Sequence, residues 1–202
     1  GGSLVVTAAQ DEITTADTIT GTTTAGTAAN TLTITTGSSA TALVAADLDK
    51  ITKMNTIQTS GNNAFSITTH TNNVVSGDDL AINAASLTSA NLTFDASAET
   101  DGGTFTLTAG GGADTITLGT GADTIKFANG KLTTADTING GATGANTLKF
   151  TNATTLADAD LTNVTNIQTI TLDNLSHGLV LAVGAEAMGA SVATVTTGGG
   201  DD

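Results

Sequence analysis

The 202-residue chain has no Cys, Pro, Trp or Tyr, and its five basic residues (Lys50, Lys53, Lys126, Lys131 and Lys149) face 19 acidic ones, for a net charge of -14. Each absence closes off a class of protein. Without Cys there is neither a disulfide framework nor a thiolate metal site. Without Arg there is no bidentate phosphate clamp, and five scattered Lys form no basic patch, so nucleic acid and anionic membrane surfaces are poor partners. No apolar run reaches the roughly 18 residues of a membrane span. No signal peptide follows the opening Gly1-Gly2-Ser3, so localisation is not legible at the N-terminus. The acidity points toward cations.

What the chain has instead is Thr, at 45 positions, together with 24 Gly. The 39% hydrophobic content is mostly Ala, Val, Ile and Leu, and the only aromatics are five Phe, so a core of large rings is not expected. Thr, Val and Ile are stiff at χ1 and favour strands, which makes the expected fold all-β.

Two long segments repeat. TTADTITG (14–21) recurs as TTADTING (133–140), AANTLTI (28–34) as GANTLKF (144–150), and ADLDKITKMNTI (46–57) as ADLTNVTNIQTI (159–170). The matches keep their order, which marks a duplicated module over 14–60 and 133–172. Within it the apolar residues fall on every third position, at Leu48, Ile51, Met54 and Ile57, and at Leu161, Val164, Ile167 and Ile170. That spacing suits a 3₁₀-like or solenoid turn; a leucine-rich repeat would need a period of about 20–29 residues that is absent.

A shorter period lies between the copies. AGGGADTIT (109–117) runs directly into LGTGADTIK (118–126), sharing Gly110/Gly119, Gly112/Gly121, Asp114/Asp123 and Ile116/Ile125. Leu107 between Thr106 and Thr108 extends the pattern backward, giving three triplets with an apolar centre, the mark of short strands with one buried face. The two nonapeptides resemble the RTX (repeats-in-toxin) family, whose pattern is G-G-x-G-x-D-x-U-x, and depart from it only at the first position, Ala109 or Leu118. More loosely, LTFDASAETDGGTFTLTAGGGADT (92–115) and DLTNVTNIQTITLDN (160–174) are similar to calcium-dependent surface-layer proteins of Gram-negative bacteria.

The resemblance implies a calcium-filled parallel β-roll over 101–131 and type I secretion to the cell surface. Calcium takes oxygen ligands from carboxylates and carbonyls in flexible loops, and G-x-G-A-D supplies both. In a β-roll two nonapeptides make one turn, so loops eighteen residues apart stack and share an ion. On that count the Asp114 loop, with Gly110 and Gly112, should face Asn129-Gly130; the Asp123 loop, with Gly119 and Gly121, should face Asp101-Gly102-Gly103. Two ions, one on each side, follow. The competing reading is that GADTI marks ordinary β-turns. Asp17 and Asp136 lack the preceding glycines and read as turn aspartates, Asn30 and Asn146 have lost the charge, and Asp78-Asp79 reads as a solvated turn after Gly77. His70 and His177 stand alone, no nucleophile and base pair can be nominated, and the short interrupted Thr rows argue against an ice-binding face.

The expectation is therefore one continuous, elongated, mostly parallel β-solenoid over 1–202, with TGGGDD (197–202) opening the next repeat of a longer array. It is expected to be non-enzymatic, extracellular and Ca²⁺-binding, and to self-associate into a surface lattice, without nucleic acid or membrane insertion. An extender or secretion segment of an RTX adhesin or exoenzyme is the alternative.

Overall fold

The computed structural model describes residues 3–22, 29–38, 41–152, 155–173, 180–181 and 184–197. His177, Asn174 and all of the TGGGDD tail but Thr197 lie outside them. Every ladder among the described residues is parallel, and the chain winds as a β-solenoid of about seven turns.

One face is a nine-stranded sheet built from Val5–Ala9, Thr31–Thr35, Thr56–Ser60, Asp79–Asn83, Thr104–Thr108, Thr124–Ala128, Thr147–Thr151, Thr169–Asp173 and Thr194–Thr197. The opposing face carries Phe65–Thr68, Leu92–Asp95, Thr115–Thr117, Thr137–Asn139 and Val164–Thr165. The three triplets of the nonapeptide region are all strands. Those at 106 and 124 pair with each other in the long sheet, and 115–117 crosses to the short one. Two nonapeptides thus make one coil.

Alternation sets which side chains enter the core. In the long sheet Val6, Leu32, Ile57, Ile82, Leu107, Ile125, Leu148, Ile170 and Val195 stack in register, one per coil. Stacking like on like fills the interior coil by coil, so each coil needs only its neighbours. The core is mainly aliphatic, but all five Phe are buried in it; Phe94 meets Phe105 edge to face at 5.5 Å and Phe127 stacks on Phe150 at 6.5 Å. The solenoid is narrow enough that five rings close its central coils. The every-third-residue runs become short turns, Ala45–Leu48 and Asp158–Leu161, each feeding a two-residue strand; Leu48, Ile51, Met54 and Ile57 and their counterparts Leu161, Val164, Ile167 and Ile170 are all buried.

Coil length is not constant. The long-sheet register advances by 25 residues from Ala81 to Thr106, by 18 to Thr124 and by 23 to Thr147. The difference lies in the corners. Residues 109–114 link the sheets where the flanking coils use 84–91 and 129–136, so six residues do the work of eight. At the opposite corner 118–123 replaces 96–103 and 140–146. The short coil is recessed, and its glycines lie directly against carbonyl oxygens of the coil before. A Cβ on Gly110, Gly112, Gly119 or Gly121 would overlap the carbonyl oxygen of Leu87, Ala90, Glu99 or Gly103 respectively.

This close approach is testable without backbone strain, because Gly121 does not have a positive φ. Gly121→Ala is expected to cost more than about 3 kcal/mol through overpacking against main chain. Gly37→Ala, where a Cβ meets nothing within 4 Å, should shift stability by less than about 1 kcal/mol. Thermal unfolding of the two variants by circular dichroism, the only optical probe open to a chain without Trp or Tyr, checks the contrast.

Candidate cation sites at the solenoid corners

At each corner the chain leaves the sheets, and its amides lose their strand partners. At several corners a side-chain oxygen from the following coil replaces those partners. Leading into the long sheet, Asn30 Oδ1 accepts from the Leu4 amide at 3.0 Å and Asn55 Oδ1 accepts from the Asn30 amide at 2.9 Å. Further along, Asp123 Oδ1 accepts from Phe105 at 2.8 Å, Asn146 Oδ1 from Asp123 at 3.0 Å, and Gln168 Oε1 from Asn146 at 2.7 Å. At the opposite corner Asp114 Oδ1 accepts from Leu92 at 2.8 Å and Asp136 Oδ1 from Asp114 at 2.7 Å.

The two repeated segments use this device alike. Asn30 Nδ2 donates to the Lys53 carbonyl at 2.9 Å and Asn146 Nδ2 to the Asn166 carbonyl at 3.0 Å. Lys53 and Asn166 match in the sequence alignment and share a left-handed backbone, φ 58° and 57°. An Asn therefore satisfies two partners, one through each end of its amide. An Asp in the same place has only acceptors.

That difference shows at Asp114 and Asp123, which are 0% and 1% exposed. Each uses Oδ1, and each leaves Oδ2 buried without a hydrogen bond. Glu99, also 0% exposed, has both carboxylate oxygens in that condition. Burial pushes Asp114 and Asp123 up from 3.8 to about 6 and Glu99 from 4.5 to about 7; the amides of Leu92 and, more weakly, Gly110 pull Asp114 back and that of Phe105 pulls Asp123 back, while the charges of Asp136, Asp79 and Asp101 raise Asp114, Asp123 and Glu99 respectively. Asp136 is equally buried but satisfied, since its Oδ2 accepts from the Thr133 amide and hydroxyl at 2.7 and 3.2 Å. Asp17 caps Thr14 in the same way. Both are turn aspartates, as their missing glycines imply.

The predicted site residues divide between two corners at opposite ends of Thr115–Thr117. The Asp123 corner gathers Gly119, Gly121 and Gly103, in the eighteen-residue register expected. Asp101 stands at its exposed margin, accepting from the Gly103 amide at 3.1 Å. The Asp114 corner departs from expectation. Asp114, Gly110 and Gly112 face 87–92 of the preceding coil and Asp136 of the following one, with registers of 22 residues on both sides. Asn129-Gly130 does not face Asp114 but sits at the exposed start of the linker 129–136, whose two added residues shift the register. Glu99 was missed by sequence reasoning: it lies outside the nonapeptides, and nothing in DASAETDGG distinguishes it from an exposed loop acid.

Asp78 and Asp79 are exposed and follow Gly77, and Asp79 accepts from the Thr104 hydroxyl at 3.1 Å. His70 is held in a turn, its Nδ1 accepting from the Asn72 amide at 3.1 Å. Among the described residues no three His, Cys, Asp or Glu side chains cluster to hold a metal ion, so any cation at these corners would rest on single carboxylates supplemented by main-chain carbonyls. No protein-family model matches the chain, and no curated protein or solved structure matches it either.

A pH dependence follows in the absence of divalent cations. Asp114, Asp123 and Glu99 have folded pKa values above their unfolded ones, so between pH 4 and about 7 the native state holds protons that the unfolded chain has released. The stability these three groups contribute is therefore full below their unfolded values and lost as pH rises through 6 to 7. In EDTA, Asp114→Asn/Asp123→Asn should show a flatter stability profile over this window than the parent and should melt higher at pH 8. A parent profile between pH 5 and 8 no steeper than that of the double variant would refute the assignment.

Proposed function

We propose that this chain is a structural, calcium-dependent solenoid segment of a secreted bacterial surface-layer protein, in which cations lock the recessed coil to its neighbours and support lattice assembly. The observation that carries the reading is the pair of buried oxygens, Asp114 Oδ2 and Asp123 Oδ2, without hydrogen bonds at opposite corners of one coil. An ionised oxygen in that position is costly unless a charge or a metal compensates it. Carboxylate and carbonyl oxygens are the ligands a hard cation prefers. Asp114 with the carbonyls of Gly110 and Gly112 would hold one ion. Asp123 with those of Gly119, Gly121 and Gly103 would hold the other. A bound cation supplies the positive charge that a chain of net charge -14 lacks.

The nonapeptide resemblance to RTX proteins, the absence of Cys and the rod-like coil stack support an extracellular setting. Self-association into a surface lattice is part of the same reading. Binding to the folded state alone adds RT ln(1 + [L]/Kd), about 2.7 kcal/mol at a hundredfold excess over Kd.

Native mass spectrometry and melting with and without EDTA test the proposal. Calcium should raise the melting temperature. Asp114→Asn and Asp123→Asn should each remove about one ion and reduce the calcium-dependent gain, while Asn30→Ala and Asn146→Ala leave stoichiometry unchanged. Absence of bound calcium at millimolar CaCl₂ would sink the reading. Electron microscopy separates the two settings: two-dimensional sheets formed only with calcium support a lattice role, and a monomeric rod would assign the chain to an extender.

A further inference from the structure

The recess of the short coil creates a cavity of about 340 Å³ on the outside of the Gly110–Gly112 corner. Its cause is geometric. The linkers 84–91 and 129–136 stand out on either side of the shorter 109–114, and nothing fills the space between them. Leu87, Ala109 and Phe127 close its inner side, and the half-buried Lys126 and Lys131 lie along it. No Asp or Glu lines it.

That charge distribution is unusual for this molecule. Two of its five cations share one cavity in a chain of net charge -14. Lys149, beside Lys126 on the next strand, is neutralised by Asp173 at 2.6 Å. Lys126 Nζ has no ion-pair or hydrogen-bond partner among the described residues, and Lys131 Nζ reaches only the Thr88 carbonyl, at 3.4 Å. Gly111 leaves room for this: a Cβ there would come within 2.6 Å of Lys131 Nζ. The aliphatic stems of the two lysines extend the apolar wall and carry their ammonium groups to its edge.

We propose that this cavity binds a small organic carboxylate, its apolar body against Leu87, Ala109 and Phe127 and its anionic head between Lys126 and Lys131. The volume lies at the lower end of the range of ligand pockets, about 300–1,000 Å³, and suits a body of roughly eight to twelve heavy atoms. An apolar lining with a few charged groups at one side is the usual division between affinity and orientation in such sites. The cavity abuts the proposed Asp114 calcium corner and shares Gly110 with it, but it has a different chemistry, since none of its lining residues is a carboxylate.

Isothermal titration of the whole chain with sodium octanoate, in calcium and again in EDTA, tests it. Octanoate should bind in both media, and octanol and octylamine, with the same body and no anionic head, at least about tenfold more weakly, the worth of one charge-assisted contact. Lys126→Gln/Lys131→Gln, at half-buried surface positions, should keep the parent circular dichroism spectrum and lose at least about tenfold in octanoate affinity. No octanoate binding up to 10 mM (roughly the limit of a useful site), octanol binding as tightly as octanoate, or an unchanged affinity in the double variant would each overturn the assignment. Octanoate binding that survives in a protein shown to hold no calcium would leave this site standing after the calcium reading had fallen.

Discussion

Main-chain amides at the corners of a parallel solenoid have no sheet to satisfy them, and the rest of the structure depends on how they are satisfied. The chain places a side-chain oxygen one coil further on, at Asn30, Asn55, Asp114, Asp123, Asp136, Asn146 and Gln168, and aims it back at the amide of the coil before. These bonds do more than fill a vacancy. They tie each corner to a fixed neighbour, so they set the register of the strands that follow, and with it the in-register stack of Leu, Ile and Val inside. A buried amide left unpaired would cost about 1–3 kcal/mol, comparable to a large share of a domain's net stability.

At Asn30 and Asn146 both ends of the carboxamide are used. At Asp136 the second carboxylate oxygen caps Thr133, whereas at Asp114 and Asp123 it is stranded. The stranded carboxylate oxygens all lie in the shortest coil or, at Glu99, against it, and the coil's length explains why the features cluster there. Six-residue corners bring Gly119 and Gly121 against the carbonyls of Glu99 and Gly103, concentrate oxygen around Asp123 and Glu99, and on the other side leave a cavity between the longer linkers. Glycine, carboxylate and cavity are three results of removing two residues from a turn.

Much of this was legible in the sequence. Period-two triplets at 106–108, 115–117 and 124–126 gave strands, the nonapeptide period gave an eighteen-residue coil, and the apolar residues at every third position gave short turns rather than a long helix. The Asp123 corner followed from counting alone. The Asp114 corner did not, because its register depends on the lengths of neighbouring linkers, and a repeat period says nothing about residues inserted outside it. Glu99 was hidden for a related reason: its burial comes from Gly119 stacking over it one coil later, a contact between segments with no common motif. The corner ladder was partly visible, in the alignment of Asn30 with Asn146. What the sequence could not disclose was that Asn55 and Gln168, different residues with side chains of different length, perform one task.

The ladder separations carry a consequence for how such a chain acquires its structure. Each pairing in the long sheet joins residues 18 to 26 apart, so the nine strands assemble without closing a long loop. Divided by chain length, these separations give a relative contact order of about 0.09–0.13, nearer to helical bundles than to β-sandwiches. A sheet of this size ordinarily folds slowly because distant strands must find one another. In this solenoid the partner is always the segment that has just been laid down, and order can spread from any formed coil to the next, in step with a chain that emerges from one end.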